Sequence, residues 1–302
     1  MSYVLETTGL TKSYGQEVVV DHINLQIKAG EIYGLLGANG AGKTTLMKMI
    51  STLVHPSEGE ILLFGEKLTE DSSLLMRVGS MIETPVFYEN LSAEENLVIH
   101  CKYKNADLNL LKDYLEILGI YEARHKKVKQ FSLGMKQRLG IARALIGDPL
   151  LLVLDEPING LDPEGIKEIR ELLKFKGKQN TAILISSHIL SEIEQCAERI
   201  GFMQQGKLKR EVRTDEIHQL ATTNYEITLP PERQGLAKLQ EIFKNSTVTE
   251  GGVRISSLHY NAMEVAEVMI ENRIEFLEIK YAEDKLESYY MSESAGERLD
   301  VK

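Results

Sequence analysis

The chain has 302 residues, 43% hydrophobic and 26% charged, enough for one large α/β domain with a smaller one beside it. Its formal net charge of −10 argues against nucleic acid as a bulk partner, because an acidic surface repels the phosphate backbone. Cys101 and Cys196 are too few for a disulfide framework and fit a reducing compartment; with no signal-peptide pattern and no apolar run near the roughly 20 residues that span a bilayer, any membrane role is expected to be peripheral.

Residues 1–30 read as a β-rich opening, with short strand-like runs at 3–7, 17–20 and 23–27. The apolar run 32–36 reads as a buried strand leading into Gly37-Ala38-Asn39-Gly40-Ala41-Gly42-Lys43-Thr44, which fits G-x-x-x-x-G-K-[ST], and 45–50 reads as the helix leading out. Glycines let successive backbone N–H groups turn toward phosphate oxygens, and the helix N-terminus adds partial positive charge. Lys43 can then reach the β- and γ-phosphates, and the Thr44 hydroxyl can ligate Mg²⁺. Nucleotide binding is the expectation.

Residues 59–65 form a further predicted strand closed by glycines. Ser92 and Glu95 make a capping box that opens a helix-rich stretch to about residue 127. Ser132 and Gly134 precede a helix read over 137–146, a second anion-binding helix end; one nucleotide needs a single phosphate loop, so the site is expected to be composite. The runs 150–154 and 182–185 are short and wholly apolar, as central strands of a parallel sheet are. The first ends in Asp155 and Glu156, which places both acids beside the phosphate loop: Asp155 suits the Mg²⁺ shell and Glu156 a general base that orients the attacking water. His188 follows the second run at the same edge. Beyond residue 214, the order βαββαβ predicts a small antiparallel sheet with helices on one face, with strands at 225–229 and 274–281, helices around 236–243 and 262–269, a hairpin turning on 250–252 and a polar, disordered tail from 292.

These motifs, in this order, resemble the ATP-binding subunit of an ABC transporter over roughly residues 1–214. The resemblance assigns Walker A to 37–44, Walker B to 151–156, the signature to Phe131-Ser132-Leu133-Gly134-Met135, the D-loop to Asn159-Gly160-Leu161-Asp162 and the switch histidine to His188. It implies that Tyr14 stacks on adenine, that Thr45, Ser132, Gly134 and Asp162 join the Walker A residues around ATP, and that Glu83 stands at the Q-loop position, near catalysis and the Mg²⁺ shell. The fold it implies is α/β: a P-loop NTPase cassette with a mostly parallel core sheet, a β-rich N-terminal subdomain and a helical subdomain over about 88–147. A small α+β domain over 215–302 is appended.

The family departures are Glu83 for Gln, and Leu133 and Met135 for Gly and Gln in the signature. Residues 82–85 and the Phe-Ser-Leu-Gly-Met signature resemble the bacterial subfamily that exports bacitracin and lantibiotics. The resemblance implies an ATPase that dimerises around two ATP at the cytoplasmic face of the membrane and drives a separately encoded permease. An exporter of another substrate (ion, lipid or drug) is the alternative. A non-transport ABC ATPase acting on nucleic acid or ribosomes fits less well, since only 88 positions separate Thr44 from Ser132 and the chain holds one cassette. A simple P-loop kinase leaves the signature helix unexplained.

Overall fold

The computed structural model describes residues 3–69, 73–216, 224–230, 235–243, 246–249, 251–256 and 262–282. The chain divides into two units, Met1–Thr214 and Asp215–Lys302.

The first unit opens with β1 (Tyr3–Tyr14) and β2 (Glu17–Lys28), paired antiparallel. The two short runs expected at 17–20 and 23–27 are one strand. Val20 faces Lys12 and Ile23 faces Leu10, so a bulge absorbs the extra residue; His22 sits there at φ 52, its N–H donating to Thr11 Oγ1 at 3.1 Å. The bulge breaks the alternation without ending the strand.

Next come β3 (Ile32–Leu36), α1 (Lys43–Ile50), β4 (Glu58–Leu63) and β5 (Glu66–Lys67). They are followed by β6 (Val78–Met81), α2 (Ala93–Lys104), α3 (Leu110–Ile117), α4 (Leu133–Leu145) and β7 (Leu151–Leu154). The unit closes with α5 (Pro163–Lys178), β8 (Ala182–Ser187), α6 (Leu190–Ile193), β9 (Arg199–Gln204) and β10 (Lys207–Arg213). One sheet has the order β2-β1-β4-β5 and is antiparallel. The other has the order β10-β9-β3-β8-β7-β6; all its pairs are parallel except the β10 edge. Between them Leu5, Leu25 and Ile27 of the first sheet pack with Leu46, Met49 and Ile50 of α1, all at most 1% exposed. Each such side chain contributes about 1.5–3 kcal/mol by leaving water.

Helix α2 opens on the expected capping box: Glu95 N–H donates to Ser92 Oγ at 3.1 Å, and Ser92 N–H to Glu95 Oε2 at 2.7 Å. Helix α4 begins at Leu133, four residues before the start read from the sequence, because the Ser132 hydroxyl accepts the Met135 N–H at 3.2 Å and carries the helix through Gly134. Its far end lies very close to the sheet. A Cβ on Gly79 of β6 would sit 1.9 Å from the Ala144 carbonyl oxygen, and one on Gly140 would sit 2.7 Å from Met81 Sδ.

The second unit comprises β11 (Asn224–Thr228), α7 (Leu236–Ile242), β12 (Thr247–Val248), β13 (Gly252–Ser256), α8 (Ala262–Glu271) and β14 (Glu278–Ala282). Its sheet is antiparallel in the order β12-β13-β11-β14, and Tyr225, Ile227, Val253 and Ile255 pack with Leu239, Val265 and Met269 of the helices. The last strand begins at 278 rather than 274: Ile274 is buried against the helices, and only from Glu278 does the chain pair with β11. Glu250 of the expected hairpin turn and the tail from 292 lie outside the described residues.

Candidate active site

Strands β3, β8 and β7 lie side by side and run the same way, with Leu36 opposite Ser187 and Leu154 opposite Ile185. Their C-terminal ends therefore release three polar segments at one edge: the glycine-rich turn 37–42, His188, and Asp155 with Glu156. This is the edge at which open α/β sheets bind ligands.

The turn is set by its glycines. Gly42 takes φ 104 as the N-cap of α1, and a Cβ there would lie 2.5 Å from the Val19 carbonyl oxygen. No side chain caps α1, so its first N–H groups face outward for an anionic ligand. Ala38, Asn39 and Gly40 are exposed, Gly37, Ala41 and Gly42 are buried, and Thr45 is half-buried in the first turn of α1.

Lys43 is only 5% exposed, and a buried ammonium requires partners. Its Nζ donates to the carbonyls of Gly37 at 2.6 Å and Ala38 at 3.3 Å, and lies 3.7 Å from Glu156 Oε1. Thr44 Oγ1 donates to Asp155 Oδ2 at 2.8 Å, and Ser186 Oγ donates to Asp155 Oδ1 at 2.6 Å. The same Ser186 oxygen accepts the Glu156 N–H at 2.9 Å. His188 Nδ1 lies 3.0 Å from Glu156 Oε2. Glu156 holds φ 47, a left-handed conformation that costs a non-glycine residue about 1–3 kcal/mol and that surrounding contacts must fix. One such contact is Gln137 of α4, whose Nε2 donates to the Glu156 carbonyl at 3.0 Å.

Lys43, Thr44, Asp155, Glu156 and His188 thus come together. Glu83 does not join them directly: its carboxylate is 2.6 Å from Lys48 Nζ. Ser132 and Asp162 cap α4 and α5 through Met135 N–H and Gly165 N–H. Gly134 lies against the Gly160 carbonyl, so the signature and D-loop segments touch one another. Tyr14 ends β1 half-exposed, with Lys12 Nζ 5.0 Å above its ring. Sequence reasoning missed Ser186, Gln137 and Lys48. Ser186 carries a readable signal, as a hydroxyl closing an apolar run; Gln137 and Lys48 are ordinary helix residues until the fold is known.

The Thr44 hydroxyl and Asp155 carboxylate form an all-oxygen donor pair, which suits a hard cation such as Mg²⁺. Among the described residues no group of three or more His, Cys, Asp or Glu could hold a metal by itself.

Residues 20–159 match the family model described as ABC transporter. Over 98% of its length the chain is 42% identical to the bacitracin transport ATP-binding protein BcrA of Bacillus licheniformis, 99% of which is covered. The chain belongs to the ABC transporter ATP-binding proteins. The lantibiotic transport ATP-binding protein SrtF of Streptococcus pyogenes is 40% identical over 82% of this chain and 99% of its own. Among solved structures, a dimeric ATP-binding cassette in a post-hydrolysis state with ADP and phosphate aligns with a TM-score of 0.65. It is 25% identical, over 70% of this chain and 98% of that one. This ABC subunit is accordingly an ATPase with the P-loop cassette fold. No helix among its described residues is long and apolar enough to cross a membrane.

Proposed function

We propose that the subunit works as a pair at the cytoplasmic face of the membrane and drives export of a peptide antibiotic of the bacitracin or lantibiotic kind through a separately encoded permease. The near-full-length identity to a bacitracin transport protein is the observation that carries the cargo. Deleting the genes for the subunit and its permease should lower the minimal inhibitory concentration of bacitracin or of a lantibiotic several-fold. Unchanged tolerance to all of them would remove the cargo and leave the ATPase standing.

In this reading Lys43 neutralises the β- and γ-phosphates, and α1 directs its first N–H groups at them. Thr44 and Asp155 would hold Mg²⁺, which when bound offsets the charge developing on the phosphoryl oxygens. Glu156 accepts the proton of the attacking water, and His188, already on the Glu156 carboxylate, orients that group and reaches the γ-phosphate. Tyr14 stacks on adenine. Ser132, Gly134 and Asp162 serve the partner's ATP; within one copy the Ser132 and Asp162 side chains cap α4 and α5.

The permease would dock on the helical subdomain. A groove of about 530 Å³ there is lined by Val86, Tyr88, Ile99 and Tyr103, all exposed. Burial, with Arg143 and Lys104 nearby, pushes His100 in that groove down to about 4, so it stays neutral at physiological pH. Residues 215–302 are proposed as an accessory domain that supports dimerisation or regulation.

Ser132→Arg separates the two halves of the site. One copy should still bind ATP through its own phosphate loop, while ATP-dependent dimerisation, followed by light scattering, should be lost. A variant that hydrolyses ATP at the wild-type rate as a strict monomer would remove the composite site.

A further inference from the structure

Glu83 is placed by its strand and then diverted by one neighbour. Met81 pairs with Leu154, and the Asp155 N–H donates to the Met81 carbonyl at 2.8 Å. Glu83, two residues further, therefore leaves β6 at the edge where Asp155 leaves β7. Its backbone takes φ 60, so the chain turns sharply at a bulky residue. Lys48 lies four residues after Thr44 on α1, on the same face and about 6 Å further along the axis. Its Nζ is 2.6 Å from Glu83 Oε1, with the lysine side chain 28% exposed and the glutamate 60% exposed. The carboxylate thus rests on a side chain rooted one helical turn beyond Thr44, whose hydroxyl meets Asp155.

We infer that Lys48 is a positioning residue for Glu83, holding its carboxylate off the Thr44–Asp155 pair so that Glu83 reaches the metal only by giving up an ion pair. The inference rests on the nucleotide-site reading above. A glutamine at position 83 would have no charge for Lys48 to hold, so the glutamate and the lysine work as a unit. With the lysine absent, a carboxylate at that edge is free to settle on a divalent cation held by Thr44 and Asp155, before the site has closed.

The test is a double-mutant cycle read by binding rather than turnover. Calorimetric titration of the full chain with ADP at increasing Mg²⁺ gives the apparent metal affinity for wild type, Lys48→Met, Glu83→Ala and the double variant. Lys48→Met should tighten that affinity about two- to fivefold, the range a partly exposed ion pair supports. In the Glu83→Ala background the same substitution should change nothing, and Lys48→Arg should match wild type. Equal tightening in both backgrounds would mean that only a positive charge was removed, and the proposal falls. No change in the wild-type background overturns it as well. ADP binding without any Mg²⁺ dependence in wild type would remove the underlying metal reading too, a result distinct from either.

Discussion

Glu156→Gln is expected to leave ATP binding intact while cutting hydrolysis by about 10²- to 10⁴-fold, the usual contribution of a positioned general base. The amide keeps the length and shape of the side chain and can still hydrogen-bond His188, which lies 3.0 Å from the carboxylate. The backbone anchors from Ser186 and Gln137 do not depend on the side chain at all. The capacity to accept the water's proton is removed, together with the negative charge 3.7 Å from Lys43 Nζ, whose other partners, the Gly37 and Ala38 carbonyls, remain. The arrested protein should elute as an ATP-dependent dimer. Phosphate release measures the first effect and calorimetry the preserved binding; wild-type turnover in this variant would eliminate Glu156 as the base.

Lys43→Ala should act one step earlier. The ammonium is buried and already directed into the turn by the Gly37 and Ala38 carbonyls, so it meets an incoming phosphate with little reorganisation. A charge-assisted hydrogen bond of this kind contributes about 1.5–3 kcal/mol, so ATP affinity should fall about 10- to 100-fold. Thermal stability should change much less, because the turn is also fixed by its glycines. Unchanged ATP affinity by calorimetry would undo the role given to Lys43.

The parts of this architecture that are local were readable. The phosphate loop, the capping box at Ser92 and Glu95, and the apolar runs that become β3, β7 and β8 each depend on residues close in sequence. The meeting of Lys43, Thr44, Asp155, Glu156 and His188 was readable too, although they are far apart in sequence, because parallel strands must release their C-terminal loops at one edge. Long-range partners were not readable. Gln137 reaches the Glu156 carbonyl only because α4 packs against β6 and β7, and Lys48 and Glu83 meet across 35 residues of chain. The start of α4 was missed because glycine in the first turn lowers helix propensity, whereas the Ser132 cap outweighs it. β2 was read as two runs, 17–20 and 23–27, because a bulge interrupts the alternation, which no period-two pattern can register.

The close approach of α4 to β6 has a mechanical consequence. With Gly140 and Ala144 pressed against Met81 and Gly79, the C-terminal half of the helix has almost no room to slide. A helix is stiff, and at 1.5 Å per residue Ser132 lies about 18 Å from Ala144. Such a rod, held most tightly in its C-terminal half, acts as a lever if the Gln137 bond to the Glu156 carbonyl moves with it. A swing of about 10° at the pivot would carry the Ser132 hydroxyl about 3 Å, the length of a hydrogen bond. The missing side chains of two glycines thus set the fulcrum, and under the proposed composite site a small tilt would be enough to make or break the contact of Ser132 with the partner's ATP.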